Sequence, residues 1–132
     1  MITGIAHVAL AAADMKATLH FYCDQLGFSH AFSLQDNAGN PWIEYVKVKE
    51  GQFLEFFYAD GALDSSKSTF RHLCLEVDDI HAQAKAMEAA GIAIRVYPNQ
   101  GKDGNWQCWI DDPDGNQIEL MQIDPSSPQA KG

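Results

Sequence analysis

An internal repeat is the feature that most constrains the fold of this chain. Residues 7–10 (HVAL) have a counterpart in residues 72–75 (HLCL), and in each copy an aspartate follows the histidine after seven positions. Glu55 follows His7 at nearly the same spacing as Glu119 follows His72, 48 against 47 positions. Self-similarity of this kind indicates one supersecondary unit that is used twice. Each copy therefore places a histidine on its first strand and a glutamate on its last.

Each copy reads as a strand, a helix and three further strands. Asp14 and Asp79 are good helix N-caps, and Gly27 and Gly91 end the two helical patterns. The runs that indicate strands are residues 5–10, 28–34, 42–49, 52–58, 69–77, 92–97, 105–110 and 116–123. The expected fold class is α+β, with two βαβββ modules that form a curled, partly closed eight-stranded sheet around a metal site.

Glu55 and Glu119 are the unusual residues of these strands. Glu55 lies among large apolar and aromatic residues at 53–58, and Glu119 lies between Ile118 and Leu120. Burying a carboxylate among such neighbours is costly unless it is paired or bound to a metal. A solvated strand face would accommodate either glutamate, and the strand pattern alone leaves that alternative open.

In the expected fold the strands bring His7, Glu55, His72 and Glu119 toward one point. Two imidazoles and two carboxylates suit a divalent transition metal such as Ni, Co, Zn, Fe or Mn. Four protein ligands leave two positions open in an octahedral complex. An open position is what distinguishes a catalytic metal from a structural one.

Length and charge bound the remaining possibilities. A chain of 132 residues fits one compact domain, predicted to span residues 1–123 with repeats at 4–59 and 69–123. Residues 124–132, which contain two Pro and two Ser, are predicted to be a disordered tail. The net charge of −9 argues against nucleic acid and against an anionic membrane as partner.

The cellular compartment follows from simple patterns. The three cysteines are far apart and have no C-x-x-C spacing, which indicates free thiols in a reducing compartment rather than a disulfide framework. The N-terminal residues lack the pattern of a signal peptide, and no apolar run is long enough to span a membrane. A cytoplasmic location is therefore expected.

Four short motifs stand out along the chain. They are residues 5–8 (IAHV), 21–22 (FY) with 26–28 (LGF), 71–73 (RHL) with 77–78 (VD), and 112–115 (DPDG) before 118–120 (IEL). With these motifs the chain resembles the vicinal oxygen chelate superfamily, which includes glyoxalase I, extradiol dioxygenases and bleomycin-resistance proteins. The resemblance covers residues 4–123 and implies that His7, Glu55, His72 and Glu119 bind the metal, the set found in glyoxalase I (lactoylglutathione lyase).

The resemblance implies proton transfer next to a metal-chelated carbonyl, which converts the hemithioacetal of a 2-oxoaldehyde into a thioester. Glu119 or Glu55 would be the base. Glu119 is favoured because Gln117 and the preceding turn could hold that end of the strand in place. The other side chains expected to contact the substrate are Arg71, Phe57, Gln117 and Met121.

Two positions differ from glyoxalase I. Ala11 and Ala59 stand where such enzymes commonly carry an Arg and an Asn. We therefore expect weak turnover of the glutathione hemithioacetal, or a different thiol or small oxo-acid substrate. Two other functions stay open: an Fe(II) dioxygenase that uses His7, His72 and Glu119, and a metal-free small-molecule-binding resistance protein.

A homodimer is expected. Open sheet edges invite pairing, and a symmetric dimer is the commonest soluble assembly. The superfamily offers two arrangements: both repeats of one chain face each other, or the first repeat faces the second repeat of the partner. The exchanged arrangement is favoured because the resemblance is closest to glyoxalase I.

Overall fold

A computed structural model describes residues 1, 5–59, 63, 68 and 70–132 of the chain. The chain divides into two compact units, Met1–Lys67 and Ser68–Gly132. Each unit contains one copy of the repeat, and the boundary falls between the predicted repeats 4–59 and 69–123. The predicted first residues of the repeats, at positions 4 and 69, lie outside the described residues.

The first unit forms one four-stranded sheet with a helix. The sheet has the strand order β1-β4-β3-β2, with β1 parallel to β4 and the other pairs antiparallel. Its elements are β1 (His7–Ala12), α1 (Met15–Leu19), a π-helical segment (His20–Gln25), β2 (Ser29–Gln35), β3 (Pro41–Lys49) and β4 (Gln52–Tyr58).

The second unit repeats this topology. Its sheet has the order β5-β8-β7-β6, again with the first strand parallel to the last. Its elements are β5 (Leu73–Glu76), α2 (Ile80–Ala89), β6 (Ile94–Gln100), β7 (Trp106–Asp111), β8 (Gln117–Gln122) and α3 (Pro128–Lys131). The predicted α+β class and the two βαβββ modules are confirmed. Each sheet is open, and closure of eight strands around a metal stays a prediction.

The helix boundaries follow from the capping residues that the sequence indicates. The Asp14 carboxylate accepts a hydrogen bond from the Ala17 backbone N–H at 3.0 Å, and Asp79 accepts two from the first turn of α2. Gly27 and Gly91 end the helical segments with φ of +83° and +81°, a conformation that favours glycine. These cap predictions are confirmed.

The helix that begins with α1 is not a regular α-helix along its whole length. In its second half the turn widens, and the Leu26 N–H donates to the Phe21 carbonyl five residues earlier. Because the wider turn shifts the face of the helix, the adjacent Phe21 and Tyr22 are both buried. Tyr22 packs against Phe56 of β4 with ring centroids 4.7 Å apart. The predicted helix between Asp14 and Gly27 is therefore present, and its second half is wound as a π-helix.

A helix-facing core also forms in the second unit. Ile80 and Met87 of α2 are buried, as are Cys108, Ile118 and Leu120 of the sheet. Since successive strand residues point to opposite faces, Ile118 and Leu120 lie toward the helix and Glu119 lies on the other face. The same alternation in β4 places Leu54 and Phe56 toward the helix and Glu55 on the other face. In each unit the predicted metal ligands therefore lie on the sheet face that is turned away from the helix.

Glu44 is a buried carboxylate on the helix-facing side of the first sheet, in register with Phe56. It accepts hydrogen bonds from the Ser33 hydroxyl at 2.5 Å and the Tyr58 hydroxyl at 2.9 Å, and His30 Nε2 lies 2.6 Å away. Burial raises the pKa of Glu44, but the hydrogen bonds from Ser33, His30 and Tyr58 outweigh it, so the pKa lies below its ordinary value of 4.5.

The Glu44 carboxylate should make the stability of the protein sensitive to acid. A pKa that is lower in the folded than in the unfolded chain gives stability that is complete above the unfolded value and is lost as the pH falls through the folded value. We expect Glu44→Gln to lower the melting temperature at about pH 7 and to lower it much less at about pH 3. Thermal unfolding at both pH values checks this, and a deficit of equal size at both would contradict it.

The C-terminal segment holds a short helix where the composition predicted disorder. Ser127 is buried and caps α3 by accepting from the Ala130 backbone N–H. The buried Asn105 accepts from the Asp124 backbone N–H at 2.9 Å and donates to the Gln129 side chain at 3.1 Å. Because a buried amide needs partners, these contacts tie the segment to the second unit.

Among the residues that the structure describes, no helix combines the length and the apolar character needed to cross a membrane.

Candidate metal centre

The first histidine–glutamate pair is set by the parallel ladder of β1 and β4. Ala9 lies opposite Glu55 in that ladder, and His7 is two residues earlier on the same face. His7 Nε2 is 3.3 Å from Glu55 Oε2. The glutamate side chain is only 10% exposed and the imidazole 41%, so a buried carboxylate stands behind an accessible ring.

The second pair has the same construction. Cys74 lies opposite Glu119 in the β5–β8 ladder, and His72 precedes it by two residues, directly before β5. His72 Nε2 is 3.2 Å from Glu119 Oε2, with side-chain exposures of 39% and 8%. The repeated motif in the sequence therefore becomes a repeated geometry in the structure.

The spacing within each pair fits metal coordination. Two donors that bind one metal with bonds of about 2.1 Å are about 3.0 Å apart at 90° and about 3.4 Å apart at 109°. The observed distances of 3.3 and 3.2 Å lie in this range. Over the described parts of the chain, no three or more His, Cys, Asp and Glu side chains form a metal-binding group. Each unit by itself thus brings together two of the four predicted ligands.

Glu55 has an aromatic neighbour that also reaches His7. The Tyr45 hydroxyl donates to Glu55 Oε1 at 2.7 Å, and the Tyr45 ring meets the His7 ring edge-on with centroids 5.9 Å apart. Phe32 stacks on the other side of Tyr45 at 4.4 Å. The hydrogen bond to Glu55 raises the pKa of Tyr45, so the phenol keeps its proton and remains a donor.

Glu119 has different neighbours. Trp109 occupies the register position opposite Glu119 and meets the His72 ring at 5.0 Å, but its indole N–H donates to Gln107 at 3.3 Å. The Cys74 thiol is hydrogen-bonded to Glu119. Burial raises the pKa of Glu119 against the opposing effect of His72. Partial burial of the thiol and the Glu119 charge raise the pKa of Cys74 to about 12, although the residue as a whole is exposed, so this cysteine is a neutral thiol.

The fold and the paired geometry agree with a comparison against known families. The model of the Glyoxalase/Bleomycin resistance protein/Dioxygenase superfamily matches residues 4–120. The chain belongs to this superfamily. The resemblance that the sequence motifs indicated is thereby confirmed.

Similar proteins within the superfamily include enzymes and a binding protein. A probable lactoylglutathione lyase from Vibrio cholerae is 29% identical over 126 residues, which cover 89% of each chain. The crystal structure of a glyoxalase family protein from Enterococcus faecalis superposes with a TM-score of 0.77 at 27% identity, over 90% of this chain and 97% of that one. TnmS3, an antibiotic-binding protein from Streptomyces sp. CB03234, shares the fold with a TM-score of 0.76 at 22% identity, over 93% of this chain and 98% of that one.

The four other residues predicted to contact a substrate differ in their burial and in their neighbours. Phe57 is half-buried against the edge of the Trp42 ring, with centroids 6.0 Å apart. Gln117 and Arg71 are exposed, at the start of β8 and before β5. Met121 is buried, and its sulfur lies 3.6 Å from the Asn105 amide. Contact of these side chains with a substrate stays a prediction.

Two side chains next to the predicted ligands are absent from the sequence-based site. Tyr45 and Cys74 touch Glu55 and Glu119, respectively. Cys74 follows from the repeat, since it stands two residues after His72 and so opposite the glutamate. Tyr45 depends on the exact register of a hairpin, which residue types do not give.

Proposed function

We propose that the chain is a metal-dependent lyase of the lactoylglutathione lyase type. The observation that carries this proposal is the pair of matching His–Glu contacts, one in each repeat. The two matching contacts supply two imidazoles and two carboxylates, the donor set that one divalent transition metal would need from a pair of repeats. The relatives named probable lactoylglutathione lyase support the same reaction type.

His7, Glu55, His72 and Glu119 would hold one divalent metal, with Ni, Co or Zn preferred. When bound, the metal would polarise two neighbouring oxygens of the substrate. Both imidazoles present Nε2 toward a carboxylate oxygen, so the four donors would be imidazole nitrogens and carboxylate oxygens, which these metals bind.

Glu119 would remove the proton next to the substrate carbonyl. Its carboxylate is buried, and in the metal-free protein burial raises its pKa, the direction that favours a general base. Its hydrogen-bond partner Cys74 is a thiol, a weak donor. Glu119 can therefore exchange that contact for a proton at a smaller cost than a carboxylate that is held by a strong donor.

The substrate would be the hemithioacetal of a 2-oxoaldehyde, with a thiol other than glutathione favoured. Ala11, at the position where glyoxalase I commonly carries an Arg, lies opposite Phe57 in the ladder and offers no charge to a glutathione carboxylate. Two other cations already have acidic partners: Lys47 of β3 is paired with Glu50, and Arg95 is paired with Asp111 at 3.1 Å. Neither would offer an unpaired charge to a glutathione carboxylate.

We expect kcat/KM for the glutathione hemithioacetal of methylglyoxal to fall below about 10⁴ M⁻¹s⁻¹, the lower end for efficient enzymes. The measurement is thioester formation with Ni-, Co- or Zn-loaded protein and a panel of thiols, with glutathione as one member. A small neutral thiol should be used better than glutathione. Efficient turnover with glutathione would contradict the substrate assignment, and thioester formation with no member of the panel would contradict the reaction type.

A binding function is the second candidate, and one feature of the first unit favours it. Phe32 is 44% exposed and stacks on Tyr45 with an interplanar angle of 18°. An exposed aromatic stack can hold a flat aromatic molecule. Tight, metal-independent binding of an aromatic antibiotic, with no thioester formed from any thiol, would support this function instead of the lyase.

A further inference from the structure

We propose that Tyr45 is a positioning residue that holds Glu55 in its metal-binding orientation, an inference that rests on the proposed function. The evidence is the division of the Glu55 carboxylate between two partners. Oε1 accepts from the Tyr45 hydroxyl at 2.7 Å, and Oε2 lies 3.3 Å from His7 Nε2. Tyr45 thus occupies one oxygen and leaves the other beside the imidazole nitrogen, where a metal would bind.

The hydrogen bond is of the strong kind. Its acceptor is a carboxylate, and hydrogen bonds to ionised groups are shorter and roughly twice as strong as neutral ones. The Glu55 side chain is only 10% exposed, so water competes little for its oxygens. A carboxylate that lacked this donor would be free to rotate and would present either oxygen to the metal.

Tyr45 is itself held in place. Its ring stacks on Phe32 at 4.4 Å and meets the edge of Phe53 at 6.2 Å. The same ring meets the His7 ring edge-on. One side chain therefore contacts both predicted ligands of the first unit and is fixed by two further rings.

Among the described residues of the second unit (68 and 70–132), no hydroxyl takes the place of the Tyr45 hydroxyl. Trp109 stands at the register position of Tyr45, but its N–H donates to Gln107 and not to Glu119. Two carboxylates at equivalent positions of the repeat thus differ in one donor: Glu55 accepts from the Tyr45 hydroxyl, whereas Glu119 has the weaker Cys74 thiol in that role, and a histidine lies beside each carboxylate. We therefore infer that Glu55 stays bound to the metal throughout the reaction, and that Glu119 is the carboxylate that leaves its contacts to accept the proton.

The test is the metal affinity of Tyr45→Phe, which removes the hydroxyl and keeps the ring. We expect Zn²⁺ and Co²⁺ to bind about 10–100-fold more weakly in competition with a chelator, the usual effect of removing a partner that orients a ligand. The visible absorption spectrum of the Co²⁺-loaded variant should change as well, because the carboxylate ligand is reoriented.

Tyr58→Phe is the matched control. It also removes a phenol that donates to a buried glutamate, but Glu44 faces the helix and not the metal ligands. Its metal affinity should equal that of the wild type. Tyr45→Trp, which introduces the residue found at this register in the second unit, should show the loss seen in Tyr45→Phe, and thermal unfolding confirms that each variant is folded.

A double-mutant cycle separates positioning from general destabilisation. If Tyr45 acts through Glu55, the hydroxyl deletion should have no further effect on metal affinity in a Glu55→Ala background. Wild-type affinity in folded Tyr45→Phe, an equal loss in Tyr58→Phe, or an undiminished effect in Glu55→Ala would overturn the inference while leaving the lyase proposal in place. A wild-type protein that binds neither metal would overturn both.

Discussion

Glu119→Gln should lower kcat by about 10²–10⁴-fold, the usual contribution of a general base. Glutamine keeps a side-chain carbonyl oxygen that can bind a metal, but it cannot accept the proton. Since Glu119 is buried and has a thiol as hydrogen-bond partner, we assign the proton transfer to this residue. The loss should appear in kcat with metal-saturated protein and a thiol that the wild type uses.

The repeat supplies the control for this prediction. Glu55→Gln makes the same chemical change at the equivalent position of the first unit, where Tyr45 holds the carboxylate. It should weaken metal binding and keep most of the metal-saturated kcat. Equal losses of kcat in both variants, or a larger loss in Glu55→Gln, would contradict the assignment of Glu119 as base.

His7→Ala and His72→Ala should each weaken Zn²⁺ or Co²⁺ binding by more than about 100-fold. Each change removes a ligand itself, so its effect should exceed the 10–100-fold cost of losing an orienting partner. Because the two histidines have nearly identical geometry, the two losses should be similar in size. Chelator competition measures the affinity of each variant.

His81→Ala is the comparison for the histidine variants. His81 lies on α2, on the helix side of the second sheet, and its ring contacts Trp106 at 5.2 Å. This variant should bind metal as the wild type does. If either His7→Ala or His72→Ala also kept wild-type affinity, the four-ligand centre would be wrong.

The fold and both His–Glu pairs are predictable from the sequence because they depend on features with a fixed period. Alternation along β4 and β8 sets the face of Glu55 and Glu119. In each unit the parallel pairing of the first and last strands then places the histidine beside the glutamate. A repeat tests such an argument, since the same spacing must satisfy two copies at once.

Tyr45 escapes prediction because of one irregularity. A two-residue turn at residues 50–51 continued in regular register would place Val46 opposite Glu55. A bulge between Lys47 and Lys49 shifts the pairing by one residue, so Tyr45 takes that position. A slip of one residue exchanges the two faces of a strand, and residue types alone do not fix where a bulge occurs.

The π-helical segment and the C-terminal helix have similar causes. Tyr22 follows Phe21 directly, so a regular α-helix would turn one of these rings away from the core, and only the packed structure shows that a wider turn buries both. The C-terminal segment is polar in composition, but it is hydrogen-bonded to the buried amide of Asn105, which lies directly before β7. Both outcomes depend on contacts that no local pattern contains.

The central claim is that both His–Glu pairs serve one metal. The most direct test is the metal content of purified protein that has been reconstituted with Zn²⁺ or Co²⁺ and then freed of excess ion, measured by elemental analysis against protein concentration. We expect one metal per chain in the wild type and none in His7→Ala or His72→Ala. Two metals per chain, or a metal that remains when either histidine is removed, would show that the two pairs bind metal separately.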